Sequence, residues 1–206
     1  IAHSLQKTYN GVAFQRVIYT ESHDEVANGQ ARVAEEIADD TVNNFYSKKR
    51  AALGVALVMT TPGIPMLFQG QELLEDKWFS DQDPIDWKRL DKFCGIHQLH
   101  KDLIHLRLNS TGQSAGLTGS HIRVLHLNDK DKVLVFLRWL EDPTKDGVLV
   151  VMNFSATDFD HYRFGLPFQK EWELLCNTDW EGYDHEFSGD RTKEIFTPGQ
   201  TSHEGY

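Results

Sequence analysis

The stretch Val17-Ile18-Tyr19-Thr20-Glu21-Ser22-His23-Asp24-Glu25 decides how the chain is read. It opens as a β-branched and aromatic run and closes on acids, a serine and a histidine. Such a run predicts a buried strand, from about residue 16 to 22, whose C-terminal tip carries chemistry. A second stretch has the same form: Thr61-Pro62-Gly63-Ile64-Pro65-Met66-Leu67-Phe68-Gln69-Gly70-Gln71-Glu72. Its apolar part, 64–68, predicts a second short strand, again ending on polar groups. Between them, 42–60 shows helical spacing, with Phe45, Ala52, Val55, Ala56 and Met59 on one stripe. Thr41 or Asp40 is the expected cap, and Thr61-Pro62-Gly63 the stop. Strand, helix, strand, with polar residues at each strand exit, is the pattern of a parallel α/β sheet with its site at the strand C-termini.

Working outward, 31–38 reads as a short helical piece closed by Asp39-Asp40. Residues 72–92 read as an irregular acidic loop holding Trp78 and Trp87. A second amphipathic helix is expected over about 96–108, with Ile96, Leu99, Leu103 and Leu106 facing the core. From Ser110 the helical period ends. Short alternating runs follow at 121–127, 132–140, 147–154, 161–166 and 171–176, parted by turn residues such as Asn128-Asp129-Lys130-Asp131. They predict an antiparallel β-sandwich. The expected division is therefore an α/β domain over 1–109 and an all-β domain over 110–206, with a frayed end in the last dozen residues.

Composition narrows the partners. The net charge of −10 over 206 residues, with no long basic block, argues against nucleic acid and against an anionic membrane. No apolar run approaches the roughly 20 residues that span a bilayer. The two cysteines, Cys94 and Cys176, form no metal or redox spacing and read as free thiols in a reducing compartment. Five Trp, six Tyr and twelve Phe offer both core area and surfaces for stacking on sugar rings.

Spacing alone leaves two readings of His23-Asp24-Glu25 open. One is a solvated, inert strand exit. The other is an imidazole and carboxylates converging on a pocket where the backbone turns. Gln71-Glu72 likewise reads as a turn or as part of a polar site. If the two strands are parallel neighbours, their tips lie within about 5 Å. His97, His100 and His105 read as surface histidines rather than a metal set, because only the first two share a face. Trp78 is a candidate sugar-stacking platform, and Ile85-Asp86-Trp87 reads as a return to the core.

Taken together, Ser22-His23-Asp24-Glu25, the run from Gly63 through Phe68-Gln69-Gly70-Gln71-Glu72, Asp86-Trp87 and Val148–Phe154 resemble the α-amylase superfamily, glycoside hydrolase family 13. Within it they are most similar to 1,4-α-glucan branching enzymes. The resemblance covers nearly the whole chain. It implies the C-terminal portion of a (β/α)8 barrel, about strands seven and eight with their helices, followed by the β domain. It also implies retaining hydrolysis or transfer on α-1,4-glucans such as starch, glycogen and maltooligosaccharides. Asp24 takes the place of the transition-state-stabilising carboxylate and His23 binds sugar hydroxyls. Glu25, Gln71, Glu72 and Trp78 are expected around the substrate, with no cofactor and no metal. Retaining chemistry needs two carboxyl groups about 5 Å apart. In the family these come from strands four and five, ahead of everything here, so the chain is expected to be inactive alone. Asp24 with Glu72 is a less favoured substitute pair. Unpaired barrel strands expose edges. Residues 1–109 are therefore expected either to fold against the β domain or to self-associate through those edges. The implied setting is cytoplasmic glucan metabolism. The competing class is a non-catalytic carbohydrate-binding or structural β module, with Trp139, Trp172, Trp180 and Tyr183 as its aromatic candidates.

Overall fold

A computed structural model describes residues 1–37, 43–190, 194–200 and 203. The expected caps Asp40 and Thr41, the closing Asp39-Asp40 pair and the helix start at Val42 lie outside the described residues. Helix α1 (Ala2–Gln6) leads to strand β1 (Val17–Ile18), then to α2 (Val33–Ile37), α3 (Phe45–Thr60) and β2 (Ile64–Pro65). Helix α4 (Arg89–Arg107) follows. The β half holds β3 (His121–Asn128), β4 (Val133–Trp139), β5 (Val148–Asn153), β6 (Trp172–Glu173) and β7 (Ile195–Phe196).

Strands β1 and β2 are parallel neighbours, with Val17 opposite Ile64 and Ile18 opposite Pro65. Both are much shorter than expected. Pro65 has no amide hydrogen to donate, and the ladder ends after Met66 N–H donates to Ile18 O at 2.9 Å. Among the described residues this parallel sheet has two strands, which form no barrel wall by themselves. Its apolar side chains Val17 and Ile64 stay half-exposed, at 48% and 49%.

Helix α3 runs as its spacing predicts. Asn44 caps it, accepting a hydrogen bond from Ser47 N–H at 2.9 Å. Ala52, Val55, Ala56 and Met59 are buried, while Phe45, assigned to the same stripe, is exposed and meets Phe187 edge-to-face. The helix ends at Thr60 with Thr61 as its C-cap, and Gly63 follows at φ +142, where a Cβ would lie 2.7 Å from Ile18 Cγ1. That missing Cβ lets β2 settle beside β1.

Helix α4 begins seven residues earlier than expected, inside the acidic loop, and bends at Phe93. Phe93, Ile96, Leu99, His100 and Leu103 face inward. His100 is thus buried at 3% exposure, which corrects its reading as a surface histidine. The ring reaches back one turn, Nδ1 to Ile96 O at 2.8 Å, and its apolar edge fills the helix face.

Strands β3, β4 and β5 form an antiparallel sheet in chain order. Asn128 turns the first hairpin by accepting from the amides of Lys130 and Asp131. The central strand β4 is covered on both faces. Leu134 and Phe136 join Met152 in a core shared with α3 and α4. Val133, Val135 and Leu137 face a second core with Leu125. Phe159, Tyr162, Phe164, Leu166, Phe168 and Trp172 close that second core. Residues 161–166 therefore alternate as predicted but join no ladder: the side chains cover a sheet face while the backbone runs free. The expected strand at 171–176 shrinks to β6, which pairs with β7 in the segment expected to fray. Among the described residues the β half holds a three-stranded sheet and a two-stranded ribbon. Residues 1–109 pack against it through the shared core.

Three arginines meet at this seam. Arg107 donates to the carbonyls of Met59, Thr61 and Gly63, and Arg16 to those of Ser4, Leu5 and Pro62. Arg138, fully buried, donates to Thr60, Leu117, Gly119 and His121. Together they hold the backbone that leads from α3 into β2.

Candidate functional site

The loops that leave β1 and β2 lie side by side. Thr20 Oγ accepts a hydrogen bond from Gln71 Nε2 at 2.7 Å, and Phe68 N–H donates to Gln71 Oε1 at 2.7 Å. Gln71 therefore spans the two strand exits. Farther out, Phe79 N–H donates to Val26 O at 2.6 Å, so the second loop returns to the first.

Ser22 to Val26 form a tight turn in which the amides of Glu25 and Val26 donate to Ser22 O. The Ser22 hydroxyl donates to Glu25 Oε2 at 3.0 Å. The turn lifts His23 and Asp24 into solvent, at 66% and 85% side-chain exposure. They face one another, Nε2 to Oδ1 at 3.1 Å, and the His23 ring meets Phe79 edge-on at 6.4 Å. Glu72 is half-buried and accepts from Gly70 N–H at 3.0 Å. Trp78 is half-exposed beside Phe79 and lines a cleft with Arg32, Gln69, Lys77 and Asp83. Trp87 is 62% exposed, which corrects its reading as a return to the core. The turn that starts α4 holds the neighbouring backbone, with Asp86 accepting from Lys88 N–H, and points the indole outward.

Beneath these exposed groups lies a buried pair that the sequence does not announce. Glu21 and Arg32 are 4% and 3% exposed. Arg32 Nη1 donates to Glu21 Oε2 and to Gln69 O, each at 3.0 Å, and its Nε donates to Lys77 O at 3.1 Å. The second Glu21 oxygen accepts from Val33 N–H at 2.9 Å, at the start of α2. The guanidinium lies 4.8 Å from the Phe68 ring centre. Burial pushes the Glu21 carboxyl above its ordinary value, and the Val33 amide and Arg32 oppose that push. Glu21 stands in the opening nonapeptide, but nothing local in the sequence marks Arg32 as its partner. A small cavity beside the pair is lined by Thr20, Glu21, Gln71, Glu75 and His100. Burial holds His100 below the ordinary imidazole value, with Glu72 opposing.

Asp184, His185 and Glu186 are grouped closely enough to hold a metal. Lys48 already sits between two of them, 2.8 Å from Asp184 and 2.6 Å from Glu186, and supplies the cation they need. In the β half Trp139 stacks on His121, Trp180 packs against the main core and Tyr183 is 4% exposed. Trp172 covers the second core.

Residues 124–205 match the family described as "Alpha amylase, C-terminal all-beta domain". The 1,4-alpha-glucan branching enzyme GlgB of Chlamydia muridarum is 28% identical over 188 residues, which is 89% of this chain and 25% of that enzyme. GlgB of Leifsonia xyli subsp. xyli is 32% identical over 167 residues, 77% of this chain and 21% of that one. The chain is a relative of the α-amylase-family enzymes. It spans about a quarter of the length of these GlgB relatives. Among solved structures, pullulanase type I from Bacillus subtilis str. 168, complexed with maltose, superposes with a TM-score of 0.59. That match is 21% identical and covers 88% of this chain and 25% of the pullulanase, so it speaks to the fold alone. No helix among the described residues of this α-amylase relative is long and apolar enough to cross a membrane.

Proposed function

We propose that this chain supplies the loops after barrel strands seven and eight, and the C-terminal β domain, to an enzyme acting on α-1,4-glucans. The division falls near residues 109–111. The observation that carries the reading is the parallel β1–β2 pair. It brings the exits bearing His23-Asp24-Glu25 and Gln71-Glu72 to one end of one sheet, in a chain similar to branching enzymes over most of its length.

In this reading Asp24 is the carboxylate that stabilises positive charge developing on the sugar ring, and His23 contacts ring hydroxyls. Their exposure suits groups that meet a large polymer. Glu25 steadies the turn through Ser22, Gln71 fixes the distance between the two exits, and Glu72 holds the Gly70 turn. Trp78 offers an exposed face for sugar stacking. Retaining displacement needs a nucleophile and a general acid about 5 Å apart. In this reading both come from other strands of the whole enzyme, and this chain binds glucan without turning it over. The half-exposed Val17 and Ile64 edges suit pairing with further strands.

The test is a titration of intrinsic fluorescence with maltoheptaose. A saturable change that is lost in both Trp78→Ala and His23→Ala supports the reading. A change retained in both overturns it in favour of the β-module alternative.

A further inference from the structure

We propose that the buried Glu21–Arg32 pair is a positioning element that sets the spacing of the two glucan-facing loops. This deepens, and rests on, the reading of those loops as a sugar site. The pair touches four separate pieces of chain. Glu21 belongs to the exit of β1. Its second oxygen holds Val33 N–H, and so fixes where the first loop ends and α2 begins. Arg32 reaches across to Gln69 O and Lys77 O, the two ends of the stretch that carries Gln71 and Glu72 and leads directly into Trp78. One guanidinium therefore closes the second loop on itself and ties it to the first.

The surroundings suit this task. Only a planar fork with several donors satisfies two carbonyls and a carboxylate at once. Gly70 sits at φ +88, and a Cβ there would lie 2.8 Å from Glu75 Cβ, so the loop is drawn tightly over the pair. Phe68 covers the guanidinium face. Neither Glu21 nor Arg32 is exposed to a polymer, which separates them from the sugar-contacting groups. They act through the loops.

The test compares wild type with Arg32→Met, Arg32→Lys and Glu21→Gln. Two readouts are used: hydrogen exchange of peptides covering 22–33 and 69–79, with 96–107 in α4 as the internal control, and maltoheptaose affinity. Arg32→Met is expected to speed exchange in 69–79 at least tenfold with α4 unchanged, and to weaken affinity at least tenfold. Arg32→Lys keeps charge opposite Glu21 but cannot span both carbonyls. It is expected to retain the α4 protection and melting temperature of wild type without recovering the affinity, a separation that a purely structural role does not give. If Arg32→Met does not fold, Glu21→Gln decides, since it keeps the side-chain size and an acceptor for Val33 N–H. Faster loop exchange with unchanged affinity overturns the positioning role, as does wild-type exchange in the loops of both uncharged variants. A wild-type chain that binds no maltoheptaose overturns the functional reading and the sugar part of this inference with it. The exchange data then still decide whether the pair fastens the loops.

Discussion

Replacing Arg138 by Met tests how the two halves of the chain are held together. Arg138 is 0% exposed, and its guanidinium donates to four carbonyls, Thr60 O from the helical half and Leu117, Gly119 and His121 O from the β half. No carboxylate among the described residues pairs with it, and its pKa is pushed well below the ordinary arginine value, down to about 9, by burial first and by Arg107 and Arg16 second. Arginine keeps its proton in proteins. The push therefore measures the cost of holding the charge indoors, roughly 5 kcal/mol at about 1.4 kcal/mol per tenfold. Against it stand four carbonyls, each of which loses about 2 kcal/mol when orphaned in the interior. Met fills much of the volume, removes the charge cost and leaves the carbonyls without donors. The net expectation is a loss of about 3 kcal/mol, which lowers the melting temperature of a chain this size by roughly 6–12 °C. Thermal unfolding followed by far-ultraviolet circular dichroism measures it. A melting temperature at or above wild type would refute the reasoning, because it would show that the charge cost outweighs the clamp.

Three further outcomes follow from the same structure. Burial holds the His100 imidazole below its ordinary value, so it resists protonation in the folded chain: stability is full above the unfolded-state pKa and falls progressively as pH drops from there through the lower folded-state value. Urea titrations of His100→Gln are expected to show a flatter fall between pH 7 and pH 5 than wild type. Gly63→Ala forces a Cβ against Ile18 at a left-handed φ and is expected to cost on the order of 1–3 kcal/mol in urea unfolding, with Gly112→Ala, where a Cβ meets nothing within 4 Å, as the control for φ alone. Iodine staining and reducing-sugar release from amylose are expected to show no turnover by wild type or Asp24→Asn; turnover lost in the variant would mean that a complete catalytic set lies within these residues.

The sequence was legible where one feature sufficed. The helical stripe of Ala52, Val55, Ala56 and Met59, and the stop at Thr61-Pro62-Gly63, are local patterns, and α3 follows them. The parallel placement of β1 and β2 followed from strand, helix, strand with polar exits. What stayed hidden depends on contacts made at long range. Arg32 shows its role only when the loops after β1 and β2 meet, and no spacing reveals that. His100 looks polar by type, yet its place on α4 between Leu99 and Leu103 buries it. Residues 161–166 alternate like a strand because alternate side chains cover the second core, but alternation does not supply a backbone partner. Trp87 has the composition of a core residue and lies outside because the turn into α4 starts beneath it. The exits themselves were readable as candidate chemistry, whereas their exposure, and the buried pair below them, were not.

The central claim is that the exits of β1 and β2 form a glucan-binding surface. The most direct measurement is a titration of the isotopically labelled chain with maltoheptaose, followed by amide and indole resonances. The account expects saturable shifts confined to 22–27 and 69–80, including the Trp78 indole, and weaker shifts in Asp24→Asn. Shifts centred on Trp172 and Trp180 in the β half, or none at high millimolar sugar, would contradict it.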